Sequence, residues 1–131
     1  ITGLTLTNGS AENGGLIQNS GSLKVASMHF TAGSATLGGA IFASSGSTTI
    51  LNSSFVNNTA VNLGGAIAAQ STAAMTIANT TFSTNRNENV GGAIAAAGSV
   101  DVDIFHSTFT KNSAANAGGA ISNSLNSLQL D

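Results

Sequence analysis

Few side chains in this sequence could do chemistry, and their spacing limits what that chemistry could be. Asp101 and Asp103 alternate on an extended stretch, which puts two carboxylates on one face, able in principle to share a Ca²⁺ or to act as acid and base on a glycan. Ca²⁺ takes about six to eight oxygens, and glycan cleavage wants further carboxylates with Arg or Lys beside them. The corresponding positions of the preceding segments, Ala74, Thr76, Ser47 and Thr49, provide neither, so the pair reads as a solvated strand face. His29 and His106 occupy different phases of the sequence and lie in no Ser–His–Asp constellation. Arg86 and Glu88 read as a pair with each other or with water. A Thr49/Thr76 array of the ice-binding kind is interrupted by Lys24 and Asp103, and the Asn-X-Ser/Thr triplets at Asn8, Asn52, Asn57 and Asn79 follow from composition. The expectation is no catalytic residue, no metal and no cofactor.

Composition excludes further classes. With three Lys+Arg, five Asp+Glu and a formal charge of −2, the chain has neither a basic stripe for nucleic acid nor a polybasic membrane patch. Its longest apolar run, near Val90–Gly98, is far shorter than the roughly 18 residues of a spanning helix. No Cys is present, so thiolate sites and disulfides are absent and the core must form without covalent help. Ser, Thr, Asn, Gly and Ala dominate, but 41% hydrophobic content with little net charge argues against disorder.

The elements that must position any site come from a repeat. Gly-Gly occurs at 14–15, 38–39, 64–65, 91–92 and 118–119, spaced by 24, 26, 27 and 27 residues. Three residues after Gly14, Gly38, Gly64, Gly91 and Gly118 come Ile17, Ile41, Ile67, Ile94 and Ile121; eight or nine residues before them stand Leu6, Phe30, Phe55, Phe82 and Phe109. A further column, Ile1, Val25, Ile50, Ile77 and Ile104, precedes the aromatic by five residues and is extended two residues earlier by Leu23, Met75 or Val102. Polar Lys24, Thr49, Thr76 and Asp103 lie between, which is strand alternation with one face buried.

Three residues after the aromatic column come Gly9, Gly33, Asn58, Asn85 and Asn112. Gly and Asn tolerate the left-handed backbone region, so this column predicts a sharp corner; Gly3, Ser27, Asn52, Asn79 and His106 predict another. Copies of this length, each with three short strands between corners and no helical period, predict an all-β parallel β-helix of five turns, approximately 1–24, 25–49, 50–76, 77–103 and 104–130, in one solenoid domain. The general crossover preference makes it right-handed. Stacked strands about 4.8 Å apart would make a rod of roughly 24 Å.

Phe55-Val56-Asn57-Asn58, followed by Gly64-Gly65-Ala66-Ile67, resembles the paired FxxN and GGA(I/L) motifs of chlamydial polymorphic outer-membrane proteins. Phe82–Asn85 with Gly91–Ile94 and Phe109–Asn112 with Gly118–Ile121 repeat the pair, while Gly33 replaces Asn in the second copy and the first has neither Phe nor GGA. The resemblance implies a bacterial, extracellular or cell-surface β-helix, right-handed, and adhesive when carried as the passenger of an autotransporter. The repeats fill these 131 residues and leave no counterpart of that family's C-terminal membrane barrel, so membrane anchoring by this chain is not expected.

The ends carry the last expectation. Ile1 stands where a Met would begin a chain and reads as a processed terminus or the edge of an excised segment; Leu128-Gln129-Leu130 repeats the phase of Leu23-Lys24-Val25. Either the turns continue in a longer β-helix or protomers stack head to tail through Ile1, Leu4 and Leu6 at one end and Leu125, Leu128 and Leu130 at the other. The favoured reading is a non-catalytic extracellular structural solenoid whose partner is itself, in a fibre. The alternatives are an adhesive segment facing a host or glycan surface, and a glycan-binding or glycan-cleaving β-helix.

Overall fold

The computed structural model describes residues 1–71, 73–124 and 127–131, which form strands and no helix. The first turn contains β1 (Thr5–Thr7), β2 (Ser10–Asn13), β3 (Ile17–Asn19) and β4 (Ser22–Ala26). The second has β5 (His29–Thr31), β6 (Ser34–Leu37), β7 (Ile41–Ala43) and β8 (Ser47–Leu51). The third has β9 (Ser54–Val56), β10 (Thr59–Leu63), β11 (Ile67–Ser71) and β12 (Ala74–Ala78). The fourth has β13 (Thr81–Ser83), β14 (Arg86–Asn87), β15 (Ile94–Gly98) and β16 (Asp101–Phe105), and the fifth β17 (Thr108–Thr110), β18 (Ser113–Ala114), β19 (Ile121–Ser124) and β20 (Leu128–Leu130).

Each strand pairs in parallel with its equivalent in the adjoining turn, giving four five-stranded sheets. This is a parallel β-solenoid. The register aligns Leu6, Phe30, Phe55, Phe82 and Phe109 in one sheet. It aligns Ile17, Ile41, Ile67, Ile94 and Ile121 in a second. A third aligns Val25, Ile50, Ile77, Ile104 and Leu130. No copy could bury these columns alone, whereas stacking removes both faces of each rung from water.

Four strands per turn correct the expected three. The additional sheet, β18-β14-β10-β6-β2, is the one with the weakest sequence signal. Its strands shrink to two residues at Arg86–Asn87 and Ser113–Ala114, and its aligned inner positions are Ala11, Ala35, Ala60, Asn87 and Ala114. With a single small residue facing the core, no apolar alternation exists to be read.

The core is a set of homogeneous stacks. Phe30, Phe55 and Phe82 are fully buried, and successive rings from Phe30 to Phe109 lie 4.5, 4.8 and 4.8 Å apart with interplanar angles of 9°, 8° and 3°. That spacing is the strand spacing itself, so the backbone ladder imposes the ring stack. Burying each ring contributes ~1.5–3 kcal/mol, and each ring pair ~0.5–1.5 kcal/mol more.

One predicted corner lies where expected and the other does not. Gly3, Ser27, Asn52, Asn79 and His106 all have positive φ, between 46° and 70°. After the aromatic strand, however, the left-handed residues are Asn8, Ala32, Asn57, Thr84 and Lys111, at 54° to 58°, one position ahead of the Gly9–Gly33–Asn58–Asn85–Asn112 column. The restriction of that column to Gly and Asn therefore has a different cause.

Candidate functional site

Asn58 and Asn85 are completely buried. Asn85 Oδ1 accepts from Asn58 N–H and Asn58 Nδ2, both at 3.0 Å, and Asn112 Oδ1 accepts from Asn85 N–H and Nδ2 at 3.0 Å each. Their Nδ2 groups also donate backward: Asn58 to Phe30 O at 3.1 Å, Asn85 to Phe55 O at 3.0 Å and Asn112 to Phe82 O at 2.9 Å. The corner turns polar backbone groups inward, and a stacked amide satisfies them as no apolar side chain could.

Glycine serves this column for a second reason. A Cβ on Gly9 would lie 2.0 Å from Gly15 O, and one on Gly33 2.2 Å from Gly39 O. In these two copies the first glycine follows the aromatic column by eight residues, and in the Asn copies by nine. The added residue falls at a bulge, where Ala60 pairs with Ala35 but Leu63 with Leu37. The longer segment makes room for Asn.

Sequence reasoning missed a parallel hydroxyl ladder at the corner before the aromatic strand. Ser53, Thr80 and Ser107 each donate to the carbonyl two residues back, at 2.7, 2.9 and 2.8 Å. Each also accepts a backbone N–H from the preceding turn: Met28 to Ser53 Oγ at 3.2 Å, Ser53 to Thr80 Oγ1 at 3.4 Å, Thr80 to Ser107 Oγ at 3.2 Å. The signal was the Ser/Thr column between Asn52, Asn79 or His106 and the aromatic strand.

The Gly-Gly pairs divide their work. The first glycine of each pair has φ between 56° and 70°. The second packs against the next turn: a Cβ on Gly39 would lie 2.2 Å from Gly65 O, on Gly65 2.1 Å from Gly92 O, and on Gly92 1.9 Å from Gly119 O. Gly119, in the fifth turn, has nothing nearer than Asn112 O at 3.9 Å.

The chemistry-bearing side chains remain dispersed. Asp101 lies in register with Ala74, and Asp103 with Thr76 and Gln129, all on one long sheet. His29 Nδ1 makes a short hydrogen bond to Ser54 Oγ, whereas His106 sits at a corner. Arg86 and Glu88 line a cleft of about 120 Å³ with Ser34 and Thr59 and form no ion pair among the described residues. Among the described residues no three His, Asp or Glu side chains converge as metal ligands.

The two end faces are different in character. Ile1 and Leu4 are 58% and 53% exposed, and Leu6 is half-buried against the core. At the other face Leu130 is 61% exposed, and with Ile104, Phe109 and Ile121 it lines an open, mostly apolar depression of about 290 Å³. Leu128 packs against the core; Leu125 lies outside the described residues. No helix among the described residues is long and apolar enough to cross a membrane.

The fold and its ladders define a parallel β-solenoid built from a repeated corner and rung. The family model of the Chlamydia polymorphic membrane protein repeat matches this chain at residues 52–70 and 106–124, so two of its turns carry that repeat. Each match runs from the left-handed corner through the aromatic strand and the Asn column into the strand after Gly-Gly. Comparison with curated proteins and with solved structures finds no match.

Proposed function

We propose that this solenoid is a non-catalytic structural element of a cell surface, joined end to end with a second copy of itself. The observation that carries this reading is the match between its end faces. β17–β20 form the last rung of the four sheets and β1–β4 the first, in the same order and phase, so a second copy could add to either as one more turn. The exposed Leu130 face offers an apolar depression, and the opposite face offers exposed Ile1 and Leu4. Association would cover both and pair the backbone edges of those two rungs. The surface setting is supported by the polymorphic membrane protein repeat in two turns.

Such a junction would be weaker than an internal rung. Phe109 would rest on Leu6 rather than on another Phe, and Asn112 N–H would meet Gly9, which has no side-chain oxygen. Assembly would therefore reverse on dilution. Sedimentation and electron microscopy across a concentration series test the reading. Gly119→Ala is the discriminating variant, because its methyl has open space in the single chain but would strike the Gly15 carbonyl of a stacked copy, as a methyl on Gly92 would strike Gly119 O. Elongated oligomers that Gly119→Ala abolishes at unchanged stability support the reading. A chain that stays monomeric at high concentration overturns it.

An adhesive role is the second reading, favoured by the same repeat matches. It predicts that the monomer, Gly119→Ala included, binds a host-cell or glycan surface.

A further inference from the structure

The sequence contains two Asn-Gly dipeptides, Asn8-Gly9 and Asn13-Gly14. In this dipeptide the glycine nitrogen can attack the Asn side-chain carbonyl, unhindered by a side chain of its own, provided that its N–H is free to move. The fold treats the two differently. Gly14 N–H donates to Leu37 O at 2.9 Å as part of the ladder between turns. Gly9 belongs to the column in which the N–H groups of Gly33, Asn58 and Asn85 donate to the Asn Oδ1 of the following turn, at 2.9, 3.0 and 3.0 Å.

For Gly9 the residue at that place in the following turn is Gly33, which has no side-chain oxygen. Among the described residues Gly9 N–H has no acceptor. Asn8 is exposed, and its side chain makes no hydrogen bond. The equivalent corner two turns on shows the protected state: Asn58 N–H is held by Asn85 Oδ1, and Asn57 Oδ1 accepts from the Thr84 hydroxyl at 2.6 Å.

From this contrast we infer that Asn8-Gly9 is a self-modification site, at which the folded chain deamidates while Asn13-Gly14 is protected. The Gly9 nitrogen forms a bond to Asn8 Cγ, the Cγ–Nδ2 bond breaks, and ammonia departs with the proton released from the Gly9 nitrogen. Water then opens the cyclic imide at either carbonyl. The product at position 8 is aspartate or isoaspartate, the latter adding a methylene to the main chain. One water is consumed and one ammonia released, and neither an enzyme nor any co-reactant other than water takes part. The change places a carboxylate on the corner between β1 and β2, and isoaspartate lengthens that corner.

The test is incubation of the folded chain in mildly alkaline buffer, followed by cleavage after glutamate and mass spectrometry. Glu12 separates the two sites, so residues 1–12 report on Asn8 and the following peptide on Asn13. The expected result is an acid and isoaspartate doublet in the first peptide, with Asn13 converting slower by on the order of tenfold or more, since its glycine amide must first be released by local opening. In denaturant the two rates should converge. Asn8→Ser should remove the first doublet and leave the second peptide unchanged. Equal conversion of both sites in the folded chain overturns the inference, as does an Asn8 that converts only in denaturant.

Discussion

Asn85 Oδ1 holds both the main-chain N–H and the side-chain amide of Asn58, one turn away, through two hydrogen bonds of 3.0 Å inside a fully buried corner. Asn85 Nδ2 meanwhile caps Phe55 O at 3.0 Å. A single side chain thus engages two main-chain groups of the adjoining turn, three residues apart, that no water reaches.

Asn85→Ala would strand the buried Asn58 N–H, and would also take one donor from Phe55 O and one acceptor from Asn58 Nδ2. An unsatisfied buried group costs ~1–3 kcal/mol, so a loss of about 3 kcal/mol is expected. Asn112→Ala, in the fifth turn and only partly buried, leaves its groups closer to water and should cost only about 1 kcal/mol. Urea unfolding of the two variants measures the difference.

Asn85→Asp gives the same site a pH dependence. The introduced carboxylate could still accept from Asn58 but would lose its donor to Phe55 O and would be buried beside that carbonyl. Both effects raise its folded pKa above the ordinary value of about 3.9. A raised folded pKa gives stability that is present below the unfolded pKa and is lost as pH rises through the folded pKa. The variant should therefore be more stable in acid than at neutral pH relative to the parent, as denaturation midpoints across that range would show.

The aromatic stack makes a graded prediction. Phe55 and Phe82 each have rings stacked on both sides, while Phe109 has one neighbour, Phe82, and is only partly buried. Phe82→Ala should cost ~3–5 kcal/mol, and Phe109→Ala clearly less. Phe82→Leu, which places in the stack the residue type found at Leu6, should cost about 1–2 kcal/mol. Thermal unfolding by circular dichroism ranks the three.

These contrasts explain what could be read from the sequence. Columns of Phe, Ile and Gly-Gly announce a solenoid because identical residues stack only when copies share one register. The polar sheet stayed hidden because Ala11, Ala35, Ala60 and Ala114 give it no pattern. The Gly/Asn column was legible as a restriction but not in its cause. Gly and Asn share a tolerance of positive φ, yet here Asn acts by hydrogen bonding and Gly by leaving space for a carbonyl. The hydroxyls of Ser53, Thr80 and Ser107 were lost in a chain rich in Ser and Thr, where residue type alone carries little information.

Gly65 and Gly119 hold the same place in different turns, so they separate packing from backbone conformation. Gly65→Ala would press a methyl toward Gly92 O, 2.1 Å away, and Arg86 O, 2.6 Å away, both main-chain atoms that cannot yield without opening the ladder. A loss of about 3 kcal/mol or more, or failure to fold, is expected. Gly119→Ala meets only Asn112 O at 3.9 Å and should stay within about 0.5 kcal/mol of the parent. Equal denaturation midpoints for the two variants would refute the close-packing role assigned to the second glycine.

Asn87 supplies the opposite case to Asn85. It is buried in a column otherwise occupied by Ala; its Oδ1 accepts from Asn89 N–H at 2.7 Å, but its Nδ2 is buried without an acceptor. Asn87→Ala would remove one useful hydrogen bond, worth ~0.5–1.5 kcal/mol, together with one orphan donor whose desolvation costs ~1–3 kcal/mol. The two nearly offset, and Ala is the residue that Ala60 and Ala114 already place on either side. The variant should therefore fall within about 1 kcal/mol of the parent, on the stabilised side if either. Urea unfolding beside Asn85→Ala checks it: two buried asparagines, two residues apart, should differ several-fold in the cost of the same truncation because only one has both ends of its amide engaged.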